Sequence, residues 1–173
     1  GFVIMTDQAN MPATSLKNVI CYETLIQEES KYIEWPEFDE NTAASLCYTS
    51  GTTGNPKGVL YSHRSTMIHA MSEVSREALG ISSITCMLPV VPMFHVNAWG
   101  VPYAAAMTGA KLVFPGPGMD GPSLWELIEA EKPDLLLGVP TVWLMLLNHM
   151  DDIGKTLDSV ESVVVGGAAA PLS

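Results

Sequence analysis

Positive charge is scarce in this sequence. Its 173 residues hold eight Lys plus Arg against 19 Asp plus Glu, a formal net charge of −11. Phosphate backbones reward clustered Lys and Arg, and the basic residues here are scattered, which argues against a nucleic-acid partner. A small anion can bind only at a local positive site that works against the global field. Paired cysteine motifs are missing as well. Cys21, Cys47 and Cys86 stand alone, without CxxC spacing. An odd, unframed set suits a reducing, cytoplasmic compartment in which thiols act as small buried hydrophobes. No basic-then-apolar leader opens the chain. Nor is there a long unbroken hydrophobic run. The apolar stretch 84–114 is interrupted by Pro89, Pro92, His95, Asn97 and Pro102, so it reads as core and loops, not as a membrane span.

What is present is enough apolar residue to fold. Hydrophobic content is 47% and charged content 16%, the balance of a chain that buries a real core. Both ends read as cut. Gly1 leads straight into the strand-like FVIM, and the closing SVVVGGAAAPLS begins what looks like a helix, with Pro171 suited to its first turn. The expectation is a single partial domain over 1–173, a segment of a larger protein. An irregular lead-in over 1–44 would precede an alternating β/α core over 45–173.

The order of elements follows from local pattern. Residues 17–23 alternate enough for a strand, and the acidic stretch 23–45 reads as a solvated connection with a short helix. Strands over 45–50 and 58–63 flank a short glycine-rich link, which predicts a hairpin carrying a loop at its tip. Ser62 is placed as the N-cap of a helix reaching Leu79 and ended by Gly80. Met67, Ala70, Met71, Val74 and Ala78 form its apolar stripe. A strand over 83–90, a helix over 96–109, a strand over 110–114 and a turn-rich loop over 115–122 come next. Ser123 and Glu126 have capping-box spacing for a helix over 123–132 that Pro133 stops. A strand over 134–140, a helix from Pro140 or Thr141 to Met150 and a strand over 162–167 complete the series. This alternation predicts an α/β fold, mainly a parallel sheet with flanking helices.

The chemistry concentrates in YTSGTTGNPKGV, residues 48–59. A loop of glycines and hydroxyls turns backbone N–H groups inward as a nest for an anion, and its hydroxyls add donors. Lys57 supplies a mobile point charge suited to phosphate. An ordinary surface turn rarely combines these residues. The Walker pattern does not fit: counted from Gly51 it requires Gly at position 56 and Ser or Thr at 58, where this chain has Pro56 and Gly58. The loop also leads into a strand, not into a helix whose N-terminus would hold phosphate.

This motif resembles the signature loop of the acyl-adenylate-forming (AMP-binding) enzymes, a family that includes acyl-CoA synthetases, luciferases and peptide-synthetase adenylation domains. Further matches follow in order. PMFHVNAWG resembles the family's aromatic-His motif, GVPTVWLMLL its substrate-side helix, and VVVGGAAAP its glycine-alanine strand end. The likeness runs from about Ser45 to the end, and HVNAWGVPYAAAMTGAKLVFPGP is most similar to medium- or long-chain fatty acyl-CoA synthetases. The fold implied is part of the acyl-CoA synthetase N-terminal domain.

The resemblance implies an acid–thiol ligase. A carboxylate and ATP give acyl-AMP and pyrophosphate, and coenzyme A then displaces AMP to form a thioester. Thr49, Ser50, Gly51, Thr52, Thr53, Gly54 and Lys57 would cradle the departing phosphates, with Thr49 a contact to Mg²⁺. His95, which on residue pattern alone reads as a satisfied core histidine, would lie at the carboxylate end of the acyl site beside Val96. Trp99 would gate the acyl tunnel, the alternative being plain core packing. Val142, Trp143, Met145 and Leu146 would line that tunnel, although simple burial gives the same apolar helix. Gly166, Gly167, Ala168 and Ala169 are small where nucleotide and acyl groups approach backbone. No metal-ligand spacing links His63, His69 and His149, and neither they nor Arg64 are given a role. A homodimer is implied only by resemblance.

The later family motifs are absent. No Tyr-Gly pair occurs, so the Tyr-Gly-x-Thr-Glu segment, the ribose-binding Asp and the mobile domain with its Lys are missing, and this stretch alone is expected to be inactive. The alternatives are an adenylating ligase for another acid (a short thioether or an aromatic acid) and a non-catalytic phosphate-binding module. A parent sequence continuing into the missing motifs would exclude the module.

Overall fold

Two strands, each with neighbouring side chains on opposite faces, set the architecture. In β5 (Cys86–Pro89) Met87 points to one side of the sheet and Leu88 to the other; in β7 (Leu135–Gly138) Leu135 and Leu137 oppose Leu136. Such runs of large apolar residues belong to strands buried on both faces, as in parallel sheets. The computed structural model describes residues 1–49 and 54–169. It divides into two compact units after Phe38.

In the first unit, β1 (Phe2–Ile4) pairs in parallel with β2 (Val19–Cys21), which runs directly into α1 (Tyr22–Gln27). In the second, β3 (Ala43–Thr49) and β4 (Lys57–Ser62) form an antiparallel hairpin, separate from a four-stranded sheet of order β6-β5-β7-β8. That sheet is parallel at every pairing; β6 is Lys111–Leu112 and β8 is Ser162–Val165. One core cluster covers one face: Ala70 from α2 (His63–Val74) and Val101, Ala104 and Ala105 from α3 (Val101–Thr108) pack with Met87, Leu135 and Leu137. The other face carries α4 (Gly121–Glu131) and α5 (Pro140–Ile153), whose Leu124, Ile128, Val142, Trp143 and Leu146 pack with Leu88 and Leu136.

Ser62 caps α2 as expected, its hydroxyl accepting from Ser65 N–H while Ser65 Oγ accepts from Ser62 N–H. Replacing Ser62 by alanine is expected to lower stability by about 1 kcal/mol, read as a fall in the urea midpoint at unchanged slope. Several expectations need correction. The helix ends at Val74, not Leu79, because Ser75 turns extended at ψ 134° and its carbonyl takes the Ala78 and Gly80 N–H groups. The inward face is also rotated by about one residue from the anticipated stripe. Ala70 and Glu73 are buried, whereas Met67 and Met71 are 54% and 61% exposed, because α2 meets α3 through alanines and not through long side chains.

The cap of α4 is Asp120, which accepts from Ser123 N–H at 3.0 Å and Ser123 Oγ–H at 2.8 Å. Ser123 therefore sits inside the first turn, and Pro122 is the second helical residue, in the first turn where a missing N–H breaks no intrahelical bond. Pro133 does follow the helix, after Lys132 adopts a left-handed conformation at φ +49°. Helix α5 runs on past Met150 to Ile153 and closes on left-handed Gly154. The helix expected over 96–109 is two objects, because residues 96–100 turn with the opposite hand.

Candidate active site

The hairpin brings Thr49 directly opposite Lys57, and cross-strand partners present side chains on one face. Thr49 Oγ1 donates to the Lys57 carbonyl at 3.4 Å, so a hydroxyl and a lysine flank the neck of the glycine-rich loop. Gly54 holds φ +108° with open space where a Cβ would stand, leaving its backbone accessible. Ser50, Gly51, Thr52 and Thr53 lie outside the described residues. Among the described residues no group of three His, Cys, Asp or Glu converges on a point. Any divalent cation here would be held by hydroxyl and phosphate oxygens, the ligand type that Mg²⁺ prefers.

After β5 the chain reaches an exposed His95 and then a left-handed turn. Val96, Asn97, Ala98 and Trp99 have φ between +50° and +60°, and Gly100 follows at +89°. Left-handed backbone costs roughly 1–2 kcal/mol per non-glycine residue, so the turn persists only because its surroundings over-determine it. Asn97 Nδ2 donates to Ser45 Oγ at 2.9 Å, and Cys47 Sγ–H donates to Asn97 Oδ1 at 3.5 Å, tying the turn to the hairpin. Ala98 is fully buried. Trp99 lies against Gly166, just past β8: a Cβ there would stand 2.9 Å from the indole Cη2. Gly167 is left-handed at φ +81°, and a Cβ there would meet Val139 Cγ1 at 3.1 Å. Ala168 and Ala169 continue exposed beyond it.

Underneath the turn lie His69 and Glu73 of α2. His69 Nε2 is 3.0 Å from the Trp99 carbonyl and 3.4 Å from Glu73 Oε1. A carbonyl can only accept, so Nε2 carries the hydrogen and donates to Trp99. Glu73 is 6% exposed, and its Oε2 has no hydrogen-bond partner. Gly100 makes this packing possible, since a Cβ there would stand 2.4 Å from His69 Cδ2 and 3.3 Å from Glu73 Oε2. Burial pushes the Glu73 carboxyl from 4.5 up to about 7, with His69 pulling it partly back. The folded state therefore holds a proton that the unfolded state releases between those values, and stability falls as pH rises through that window. Glu73→Gln is expected to match the wild type near the lower end. Above the window it should exceed it by on the order of 2 kcal/mol, measured from urea midpoints at both ends.

Trp99 belongs to the core face shared with α2 and α3, whereas Val142, Trp143 and Leu146 are buried on the opposite face of the sheet. The structure thus brings the hairpin, the His95–Trp99 turn and Gly166 together at the carboxyl edge of the strands, but not these α5 residues with Trp99. Met145 is 44% exposed. Sequence reading passed over Asn97, Gly100, Glu73 and Gly138, and gave His69 no role. A Cβ on Gly138 would strike Trp143 Cζ2 at 2.5 Å. The one usable signal was the spacing of His69 and Glu73, one helical turn apart.

The sheet is parallel at every pairing, and its carboxyl edge gathers the β3–β4 hairpin and the small-residue end of β8, the edge at which open α/β sheets hold their ligands. The family model described as AMP-binding enzyme matches residues 4–173, and the chain belongs to that family. The medium-chain-fatty-acid–CoA ligase of Ectopseudomonas oleovorans is 54% identical over 100% of this chain and 32% of its own length. The 3-methylmercaptopropionyl-CoA ligase of Ruegeria lacuscaerulensis is 50% identical over 99% of this chain and 32% of its own. Among solved structures, the inhibitor-bound N-terminal domain of FACL13 from Mycobacterium tuberculosis matches with a TM-score of 0.75 at 27% identity. That match covers 88% of this chain and 38% of that one. The chain therefore spans about a third of the length of the curated relatives it matches. Among the described residues no helix is long and apolar enough to cross a membrane.

Proposed function

We propose that this chain carries the nucleotide-loop and acyl-gate part of an ATP-dependent fatty acid–CoA ligase. The observation that carries this reading is the convergence of the loop-bearing hairpin, the His95–Trp99 turn and Gly166 at one edge of the sheet, tied by Asn97 and by the Trp99–Gly166 contact. The chemical obstacle is charge, since an anionic carboxylate must attack the anionic α-phosphate of ATP. Lys57 and the loop donors, including Thr49 and Gly54, bind the β- and γ-phosphates and stabilise pyrophosphate as it leaves. Mg²⁺, reached from this chain through the Thr49 hydroxyl, supplies further neutralisation when bound. His95, exposed at the mouth of the turn, donates a hydrogen bond to the substrate carboxylate beside Val96. Trp99, seated on Gly166, bounds the alkyl chain, with Gly167, Ala168 and Ala169 giving backbone access beside the adenylate. Coenzyme A thiol then attacks the acyl-AMP carbonyl and AMP leaves. Three free cysteines fit a reducing cytoplasm as the site of action.

The direct test is exchange of labelled pyrophosphate into ATP by the full-length protein, driven by a panel of acids. Exchange that depends on medium- or long-chain fatty acids is the expected result, and no exchange with any of them overturns the reading. The 50%-identical 3-methylmercaptopropionyl-CoA ligase favours one rival, a short thioether acid. Exchange with that acid and none with longer alkyl acids would select it.

A further inference from the structure

We infer that His69 and Glu73 are positioning residues for Trp99: the imidazole grips the Trp99 carbonyl, the buried Glu73 side chain bounds the same ring nitrogen, and the pair fixes how the indole closes on Gly166, and so which acyl chains are accepted. This inference rests on the reading of Trp99 as a wall of the acyl site.

The conformation of this turn should not last. Four successive non-glycine residues in left-handed backbone, one of them the β-branched Val96, relax to ordinary geometry unless held. Asn97 is tied to the hairpin, Ala98 is buried and donates to the His95 carbonyl, and His69 donates to the Trp99 carbonyl. The His69 bond acts directly on the backbone of the residue that touches Gly166. Glu73 Oε1 stands 3.4 Å from the same imidazole nitrogen, and His69 comes close to the turn because Gly100 has no side chain. Glu73 is an expensive residue for this place. An ordinary helix face would carry an apolar side chain there, and the carboxylate instead leaves Oε2 buried and unpaired. Oε1 faces the same nitrogen that donates to Trp99, so a buried acid and a carbonyl converge on one imidazole N–H and together set where it points. A cavity of about 190 Å³, lined by Tyr61, Thr66, His69, Val96, Asn97 and Tyr103, adjoins the turn on this side. Once the grip is cut, the turn has space to relax into, and the indole can withdraw from Gly166.

The test uses the full-length protein and straight-chain acids of increasing length. His69→Phe keeps a ring of similar size but loses the N–H. It is expected to raise kcat/KM for long acids relative to short ones by about tenfold, the equivalent of one hydrogen bond of about 1.4 kcal/mol. The change should fall on the KM of the acid, with the KM of ATP unmoved. His69→Gln, whose amide can donate to the same carbonyl, should restore most of the wild-type profile, and Glu73→Gln should shift it in the same direction but less. A uniform loss for every acid, or an unaltered profile, overturns the proposal. If His69→Phe does not fold, Glu73→Gln decides alone: an unaltered ratio rejects the grip and a shifted one supports it. A wild-type protein without acid-dependent exchange sinks the ligase reading instead. The grip is then judged by indole emission, with the Trp99 contribution assigned by Trp99→Phe. His69→Phe must move that contribution, and unmoved emission rejects the inference.

Discussion

Lys57→Ala in the full-length protein is expected to slow acid-dependent pyrophosphate exchange by about two to three orders of magnitude, the range found when one preorganised donor to a developing charge is removed. Thioester formation from supplied acyl-AMP should fall by much less. The difference follows from where the lysine stands. It is the first residue of β4 and faces Thr49 across the neck of the loop, which under the proposed ligase function places its ammonium with the phosphates that leave in the first step. By the second step pyrophosphate has gone, and nothing at the loop remains to be stabilised. In a chain of net charge −11, a distant basic residue cannot take its place, because the surrounding field opposes phosphate. Lys57→Arg keeps the charge in a different shape and should recover part of the loss. Equal slowing of both steps would refute the assignment to pyrophosphate.

The second large effect concerns the scaffold. Gly121 opens α4 where α5 passes closest, and a Cβ there would stand 2.3 Å from the Met145 carbonyl oxygen and 2.9 Å from His149 Cβ. A flexible side chain could swing aside, but a helix backbone cannot move without shifting Trp143 and Leu146 out of the core they fill. Gly121→Ala is therefore expected to cost about 3 kcal/mol, the upper end for overpacking, and to lower the thermal midpoint by roughly 6–12 °C. A fall of only a degree or two would mean that α5 slides freely on α4. Activity per folded molecule should stay near the wild-type value, since Gly121 lies far along the chain from the loop and turn.

The two predictions differ in how much of their basis the sequence displayed. The hairpin, the central strands and the Ser62 cap rest on a short glycine-rich link, short apolar runs and capping chemistry, which act between near neighbours and are visible in any short window. The glycine-rich stretch stands out in the same way, because its composition suits no core element, although residues 50–53 lie outside the described residues. The Gly121 contact, the Gly138–Trp143 contact and the Trp99–Gly166 seat pair residues that only the completed fold brings together. The helix expected over 96–109 failed for a related reason. Val96, Asn97, Ala98 and Trp99 carry ordinary helix-compatible side chains, and only the tertiary restraints from Ser45, Cys47 and His69 reverse the hand of the backbone. The cap of α4 was a nearer miss. Asp120 and Ser123 both cap well, and the choice went to the residue that places Pro122 in the first turn.

The two strands of the hairpin share no hydrogen-bonded ladder with the four-stranded sheet. Besides running directly into α2, the hairpin is joined to the His95–Trp99 turn by the Asn97 amide, which bonds Ser45 and Cys47. A tilt of the hairpin would therefore unzip no strand of that sheet, and would pull first on Asn97, inside the run of left-handed residues that ends at Trp99.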